Sequence, residues 1–233
     1  MKKKLFIYSF LLLTAVLKIN GQDFEEMPTE KKYWVEVCSG VNQAETFTSG
    51  DEIKNNDQNA ATTVFKIGIG KRISSKASLY LGYYSLYYEY NYKSTFGGFF
   101  DFVVSSGNTS TRIPLSIRYD IFAIKYKKIK FSIFGEGGVI LESVKGRNHE
   151  VSLQPNLNAR EIFTNGTYGL LSVGGGTIFR VGQSFGITIS GQKTFGFKSF
   201  MQKDFITTND IWNGTASING SGNNFKIGVQ YYF

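Results

Sequence analysis

Apolar and polar residues alternate with a period of two along much of the chain, most clearly at its end, NFKIGVQYYF. Phe225, Ile227, Val229, Tyr231 and Phe233 fall on one face of an extended segment; Asn224, Lys226, Gly228, Gln230 and Tyr232 fall on the other. Such alternation marks a β-strand whose two faces meet different surroundings. The same pattern predicts eight strands, over residues 33–42, 62–73, 78–92, 111–122, 129–141, 168–181, 184–195 and 224–233. In the fourth, Ile113, Leu115, Ile117, Tyr119 and Ile121 alternate with Arg112, Pro114, Ser116, Arg118 and Asp120. The third carries tyrosine on both faces, which leaves its register open.

The connections alternate in length. Residues 43–61, 93–110, 142–167 and 196–223 are long; 74–77, 123–128 and 182–183 are short. Successive antiparallel turns lie at opposite ends of a sheet, so all the long connections share one end, and the short turns and the start and finish of the array share the other. Long loops at one end, short turns at the other and an even strand count describe an all-β, eight-stranded antiparallel up-and-down transmembrane barrel of the outer-membrane type. On that reading residues 33–233 are the barrel and the four long loops are extracellular.

Composition agrees. Phenylalanine (21), tyrosine (14) and glycine (26) are abundant and proline (3) is scarce, which favours strands over helices. Residues 1–21 read as a secretory signal peptide, with Lys2, Lys3 and Lys4 before an apolar run, and 22–32 as a short periplasmic segment. Removing the signal takes four of 26 basic and none of 18 acidic residues, leaving a net charge of +4 that does not call for nucleic acid. One cysteine, Cys38, excludes an internal disulfide, and one histidine, His149, argues against a histidine-built metal site. No cofactor is indicated.

A soluble barrel points its apolar face inward, and a membrane barrel points it outward. Here the polar faces mix glycine and serine with a few charges, which suits a crowded lumen. Glu36, Lys66, Arg112, Arg118, Glu136 and Lys226 are therefore expected inside, as is Cys38, a small buried filler. The turn at 123–128 allows Glu136 to face either Arg112 or Arg118; Arg118 is favoured, with Lys66, Lys226 and Glu36 extending the pair into a network. Aromatic residues near strand ends, including Tyr33, Trp34, Phe185, Tyr231 and Phe233, fit interfacial girdles.

The stretches TRIPLSIRYDIF and IKFSIFGEGGVIL resemble the IPL-x-x-RY and G-x-G core of the outer-membrane β-barrel domain family, small porin-like proteins common in Bacteroidetes. GLLSVGGGTIFRVGQSFGITISGQKTFGF and FKIGVQYYF resemble that family's last hairpin and closing strand. The resemblance implies that the barrel-assembly machinery reads the closing strand, Phe225 to Phe233. It implies no activity, because these motifs are architectural.

Candidate chemistry is sparse. Gly174–Gly176 and the near P-loop around Gly186, Gly191, Gln192, Lys193 and Thr194 lie within strands, where glycine relieves crowding. His149, Glu150 and Ser152 hold the residue types of a hydrolase triad without a strand pattern to fix them. Asn108, Asn165 and Asn213 begin glycosylation-type triplets, which mean little in a bacterial chain. FGGFFDFVV at 96–104 is too apolar for a solvated loop and reads as a hairpin extension, or else as a contact surface for lipopolysaccharide or a partner. The reading as a whole is a non-enzymatic envelope barrel with a structural or surface-contact role. A narrow porin-like channel and an accessory barrel of a secretion or assembly machine are the alternatives, and a lipid-modifying enzyme comes last.

Overall fold

The structure, a computed structural model, describes residues 31–49, 60–96, 100–126, 128–146, 149–154, 157–207 and 213–233. The expected signal segment and most of 22–32 lie outside these residues, as does 50–59 of the first long connection. In chain order the strands are β1 Tyr33–Ser49, β2 Ala60–Arg72, β3 Ala77–Phe96, β4 Phe100–Tyr126, β5 Ile129–Lys145, β6 His149–Gln154, β7 Leu157–Phe163, β8 Gly166–Val181, β9 Phe185–Gly196, β10 Met201–Thr207 and β11 Asn213–Tyr232.

Eight of them close a ring in the order β1-β2-β3-β4-β5-β8-β9-β11, with β11 returning to β1 and every neighbour antiparallel. The closing seam runs in register from Trp34↔Tyr232 to Ala44↔Gly222. Its last rungs are Phe233 N–H to Tyr33 O at 2.9 Å and Tyr33 N–H to Phe233 O at 3.2 Å, with the two rings stacked at 6.1 Å. The C-terminal aromatic thus latches the ring, and closure leaves the barrel no free sheet edge.

The two faces divide by chemistry. Val35, Val37, Phe65, Ile67, Ile69, Leu115, Ile117, Phe131, Val139, Val173, Ile187, Ile189 and the closing-strand set Phe225, Ile227, Val229, Tyr231 and Phe233 are exposed on the outside. Glu36, Lys66, Arg112, Arg118, Glu136, Lys226 and Gln230 are buried inside. On β3, Leu79, Leu81, Tyr83 and Tyr87 point out while Tyr80, Tyr84 and Leu86 point in. Tyrosine tolerates both faces because its ring packs in either setting and its hydroxyl remains polar. That tolerance is why alternation alone left this register open.

Strands extend well past the expected limits. The β3–β4 hairpin stays paired to Phe96↔Phe100, so 93–110 is mostly a hairpin and not a loop, and 97–99 lies outside the described residues. At the other end β4 continues to Tyr126, past a register shift between Asp120 and Phe122. The segment 142–167 holds the end of β5, β6, β7 and the start of β8; 196–223 holds β10 and half of β11. β10 pairs with the first part of β11 and with β7, and β7 pairs with β6, which builds an extension sheet beyond the ring.

The division between barrel and extension falls at residues 219–221. Below it Gly222 pairs with Thr194 of β9; above it Ile218 pairs with Met201 of β10. Gly220 takes φ +80°, a conformation that favours glycine. The interruption satisfies its own polar groups. Asn219 Nδ2 donates to Gly196 O at 2.9 Å, and Gly196 N–H donates to Ser221 Oγ at 2.9 Å.

The GGG triplet lies within β8 and is a packing device. A Cβ at Gly174 would stand 2.2 Å from Gly191 O, and one at Gly176 would stand 2.2 Å from Ile189 O. Gly169, in the same strand, has open space around the equivalent position. Gly176→Val should therefore abolish the heat-modifiable folded band on gels, while Gly169→Val keeps it. Equal folding of the two variants would contradict this packing.

Candidate functional site: the filled lumen

Arg118 is the hub of the lumen. Its Nε–H donates to Glu136 Oε2 at 2.7 Å, and its Nη1 and Nη2 donate to Glu36 Oε2 and Oε1 at 2.8 and 3.0 Å. Glu136 stands directly opposite Arg118 in the β4–β5 register, whereas Glu36 belongs to β1, across the interior. Ser116 Oγ donates to Glu136 Oε1 at 2.8 Å, Gln230 Nε2 donates to Glu36 Oε2, and Tyr232 OH donates to Gln230 Oε1. The guanidinium also lies over Tyr80, 4.0 Å from the ring centroid, and 5.2 Å from that of Phe134. Planarity and a five-donor fork let one arginine serve two carboxylates in this way.

The other expected lumen residues arrange themselves differently. Arg112 pairs with Glu142, not Glu136: its Nη2 donates to Glu142 Oε2 at 3.0 Å and to Gly220 O, on the opposite wall, at 2.9 Å. Glu142 also accepts from Ser110 Oγ at 2.7 Å and is fully buried. Among the described residues Lys66 has no ion-pair partner; its ammonium lies 4.4 Å from the Tyr80 ring and 5.8 Å from the Tyr84 ring. Lys226 donates to Gln192 Oε1 at 3.2 Å. Cys38 is buried with its Sγ 3.3 Å from Glu36 Oε1.

Glu142 was the residue missed by sequence reasoning, because the strand was ended at 141. The inward parity of β5 through Ser132, Phe134, Glu136 and Ile140 leads to it in one further step. Glu36 was expected to extend the Arg118–Glu136 pair; that it takes both terminal nitrogens of Arg118 across the interior depends on the curvature of the ring, which no local pattern reports.

Toward the extension sheet the filling turns apolar. Ala44, Val64, Tyr84, Leu86, Val144, Tyr168, Phe200 and Ile218 form one buried cluster with Phe163 against it. Phe200 comes from the link between β9 and β10 and is tied by its N–H to Ile218 O at 2.9 Å, its ring 5.5 Å from that of Tyr168. At the opposite end Trp34, Tyr80 and Tyr232 form a second cluster. The lumen is thus layered as aromatic, charged and apolar side chains.

His149, Glu150 and Ser152 lie on β6, whose backbone pairs them with Glu161, Arg160 and Asn158 of β7. The expected absence of strand pattern there is corrected: the segment is a strand of the extension sheet.

No family model matches the chain, and no curated protein matches it, so the family expected from the motifs is not established by comparison. Solved structures do. The N-terminal β-barrel domain of Pseudomonas aeruginosa OprF is similar at 11% identity over 88% of this chain and 100% of that one, with TM-score 0.45. Neisserial surface protein A gives 14% identity over 88% and 100%, TM-score 0.42. The Escherichia coli outer membrane protein W gives 9% identity over 89% and 100%, TM-score 0.42.

Because Arg118 serves two carboxylates, Arg118→Met strands both and should cost about 3–5 kcal/mol in reversible unfolding. Glu136→Gln leaves the arginine paired to Glu36 and should cost about 1.5–3 kcal/mol, the worth of a hydrogen bond to a charged group. Removing all three charges (Glu36→Gln, Arg118→Met, Glu136→Gln) should recover at least half of the Arg118→Met loss. Urea titrations in detergent or lipid measure all three, and a triple variant no better than Arg118→Met would refute the shared-carboxylate arrangement.

Proposed function

We propose that this chain is an outer-membrane β-barrel protein without enzymatic activity, serving the envelope as a structural element or through surface contacts of its extension sheet. One observation carries the reading: the ring strands expose aliphatic and aromatic residues outside, while Glu36, Lys66, Arg112, Arg118, Glu136, Glu142, Arg180 and Lys226 are buried inside; the exposed charges, Lys71 and the Lys193–Glu45 pair among them, lie near strand ends. Water would penalise such an exterior, which far exceeds the apolar patches of soluble monomers. Hydrocarbon favours it, provided the backbone is fully paired, and a closed ring pairs every strand.

The girdle supports the same placement. At the short-turn end Tyr33, Phe185, Tyr231 and Phe233 contact one another, with Phe185–Tyr231 at 5.3 Å and Tyr231–Phe233 at 6.5 Å. Lys31 lies 5.7 Å from the Tyr231 ring and Lys71 lies 5.5 Å from the Tyr33 ring, an arrangement suited to headgroups. This end then faces the periplasm after Sec-type export, and the extension sheet faces outward toward lipopolysaccharide. Assembly machinery would recognise the outward row Phe225, Ile227, Val229, Tyr231 and Phe233.

A channel role is disfavoured by the filled interior, as eight strands leave room only for side chains. Service to a secretion or assembly machine is a partner question that the extension sheet leaves open to capture experiments.

Two measurements test the proposal. In a Gram-negative host the wild type should fractionate with the outer membrane as a heat-modifiable band, and Phe233→Asp should lose most of that band; a cytosolic wild type or a normally assembled variant would defeat the placement or the assembly role. In planar bilayers the purified protein should give no stable porin-sized conductance. Reproducible large openings would reassign it as a channel.

A further inference from the structure

On the outer surface at the short-turn end, four aromatic rings form a continuous group across the closing seam. Tyr33 of β1 stacks on Phe233 at 6.1 Å, Phe233 on Tyr231 of β11 at 6.5 Å, and Tyr231 meets Phe185 of β9 edge-on at 5.3 Å. All four rings are exposed. A lysine lies over each half of the group. Lys71 of β2 is 5.5 Å from the Tyr33 ring, and Lys31, just before β1, is 5.7 Å from the Tyr231 ring. Lys31 is held in place: its ammonium donates to Ser184 Oγ at 2.6 Å and to Tyr232 O at 3.1 Å, which joins the approach to β1 to the turn before β9. The rings and their two cations thus span β2, β1, β11 and β9, four neighbouring strands.

Among the described residues neither ammonium meets a carboxylate side chain. Toward this end Glu36 is buried and taken by Arg118, and Asp120 lies 3.5 Å from Arg72. One step further from the turns, the outward residues of the same four strands are Ile69, Val35, Val229 and Ile187, all exposed. The surface therefore changes over a short distance from cationic and aromatic to purely aliphatic. An anionic glycerophospholipid has the complementary profile. Its phosphodiester accepts from ammonium N–H, its ester region suits amphipathic rings, and its acyl chains follow an aliphatic track. A soluble anion would leave that track uncovered, and a zwitterionic lipid would bring a cation of its own toward the two lysines. Each lysine beside an anionic lipid surface is worth on the order of fivefold in affinity.

We propose that this face of the seam is a selective site for an anionic glycerophospholipid, held by Lys31 and Lys71 over the rings of Tyr33, Phe233 and Tyr231. A lipid seated there touches both sides of the seam that closes the ring. The assignment rests on the membrane placement above, because it takes the short-turn end to lie in the phospholipid leaflet that faces the periplasm.

Native mass spectrometry reads the lipid directly. The purified protein is released from micelles that contain equal amounts of phosphatidylglycerol and phosphatidylcholine, and the retained headgroup is identified. Phosphatidylglycerol should be favoured by about tenfold or more, and Lys31→Gln combined with Lys71→Gln should bring the two lipids to near parity. Lys125→Gln combined with Lys128→Gln removes exposed lysines beside the β4–β5 turn, on the far side of the ring, and should keep the preference. Should Lys31→Gln lose the heat-modifiable band for want of its Ser184 tether, Lys71→Gln decides alone and should lower the preference about fivefold. The site is overturned by no preference for phosphatidylglycerol, by a preference that survives the seam variants, or by one lost equally in the Lys125 and Lys128 control. Stronger retention of lipid A, offered in the same micelles, would also overturn it. Outer-membrane fractionation of the wild type tests the placement separately. A correctly placed barrel without lipid preference sinks the site alone, and a wild type missing from the outer membrane defeats the placement and with it the leaflet assignment.

Discussion

One guanidinium held by two carboxylates is the interaction on which this barrel turns. Arg118, Glu36 and Glu136 come from β4, β1 and β5, so the arrangement exists only after the ring has closed. A buried charge left alone would be prohibitively costly, and a matched set inside a narrow lumen is tolerable. With the buried charges committed inward, period two directs the intervening residues outward, and most of those residues are aliphatic or aromatic. The filled lumen and the apolar belt are two consequences of one alternation. Arg112 repeats the device nearer the extension, reaching from Glu142 on the neighbouring strand to Gly220 on the opposite wall.

The interruption at 219–221 sets where that logic stops. Up to Gly222, β11 belongs to the ring; beyond it the strand pairs with β10 and the chain builds a sheet in which neither face need be uniformly apolar. Phe200 and Ile218 then cap the lumen from above, and Trp34, Tyr80 and Tyr232 close it from below. The two ends thus differ in kind. One carries a projecting sheet over an apolar plug, the other an aromatic cluster behind the girdle.

The eight ring strands were legible in the sequence because two unlike environments impose a strict alternation, as in Ile113, Leu115 and Ile117 against Arg112, Ser116 and Arg118. The same reasoning failed where both faces share an environment. β6, β7, β10 and the outer part of β11 run through Thr, Ser, Asn and mixed charges, and they were read as loops. Glu142 was lost through an early strand end, although inward parity leads to it. Lys66 and Lys226 were assigned to the interior by alternation, but that could not place one on tyrosine rings and the other on an amide. Contacts across a ring depend on closure, and no local pattern reports them.

Arg118 bridges both carboxylates across the lumen. Solid-state NMR on protein in lipid bilayers, with labelled arginine nitrogens and glutamate carboxyl carbons, measures this directly. The guanidinium nitrogens should show two short nitrogen–carboxyl contacts, one lost in Glu36→Gln and the other in Glu136→Gln, matching nitrogen–oxygen separations of 2.7 to 3.0 Å. A single contact insensitive to Glu36→Gln would contradict the bridge and with it the closed, charge-filled lumen.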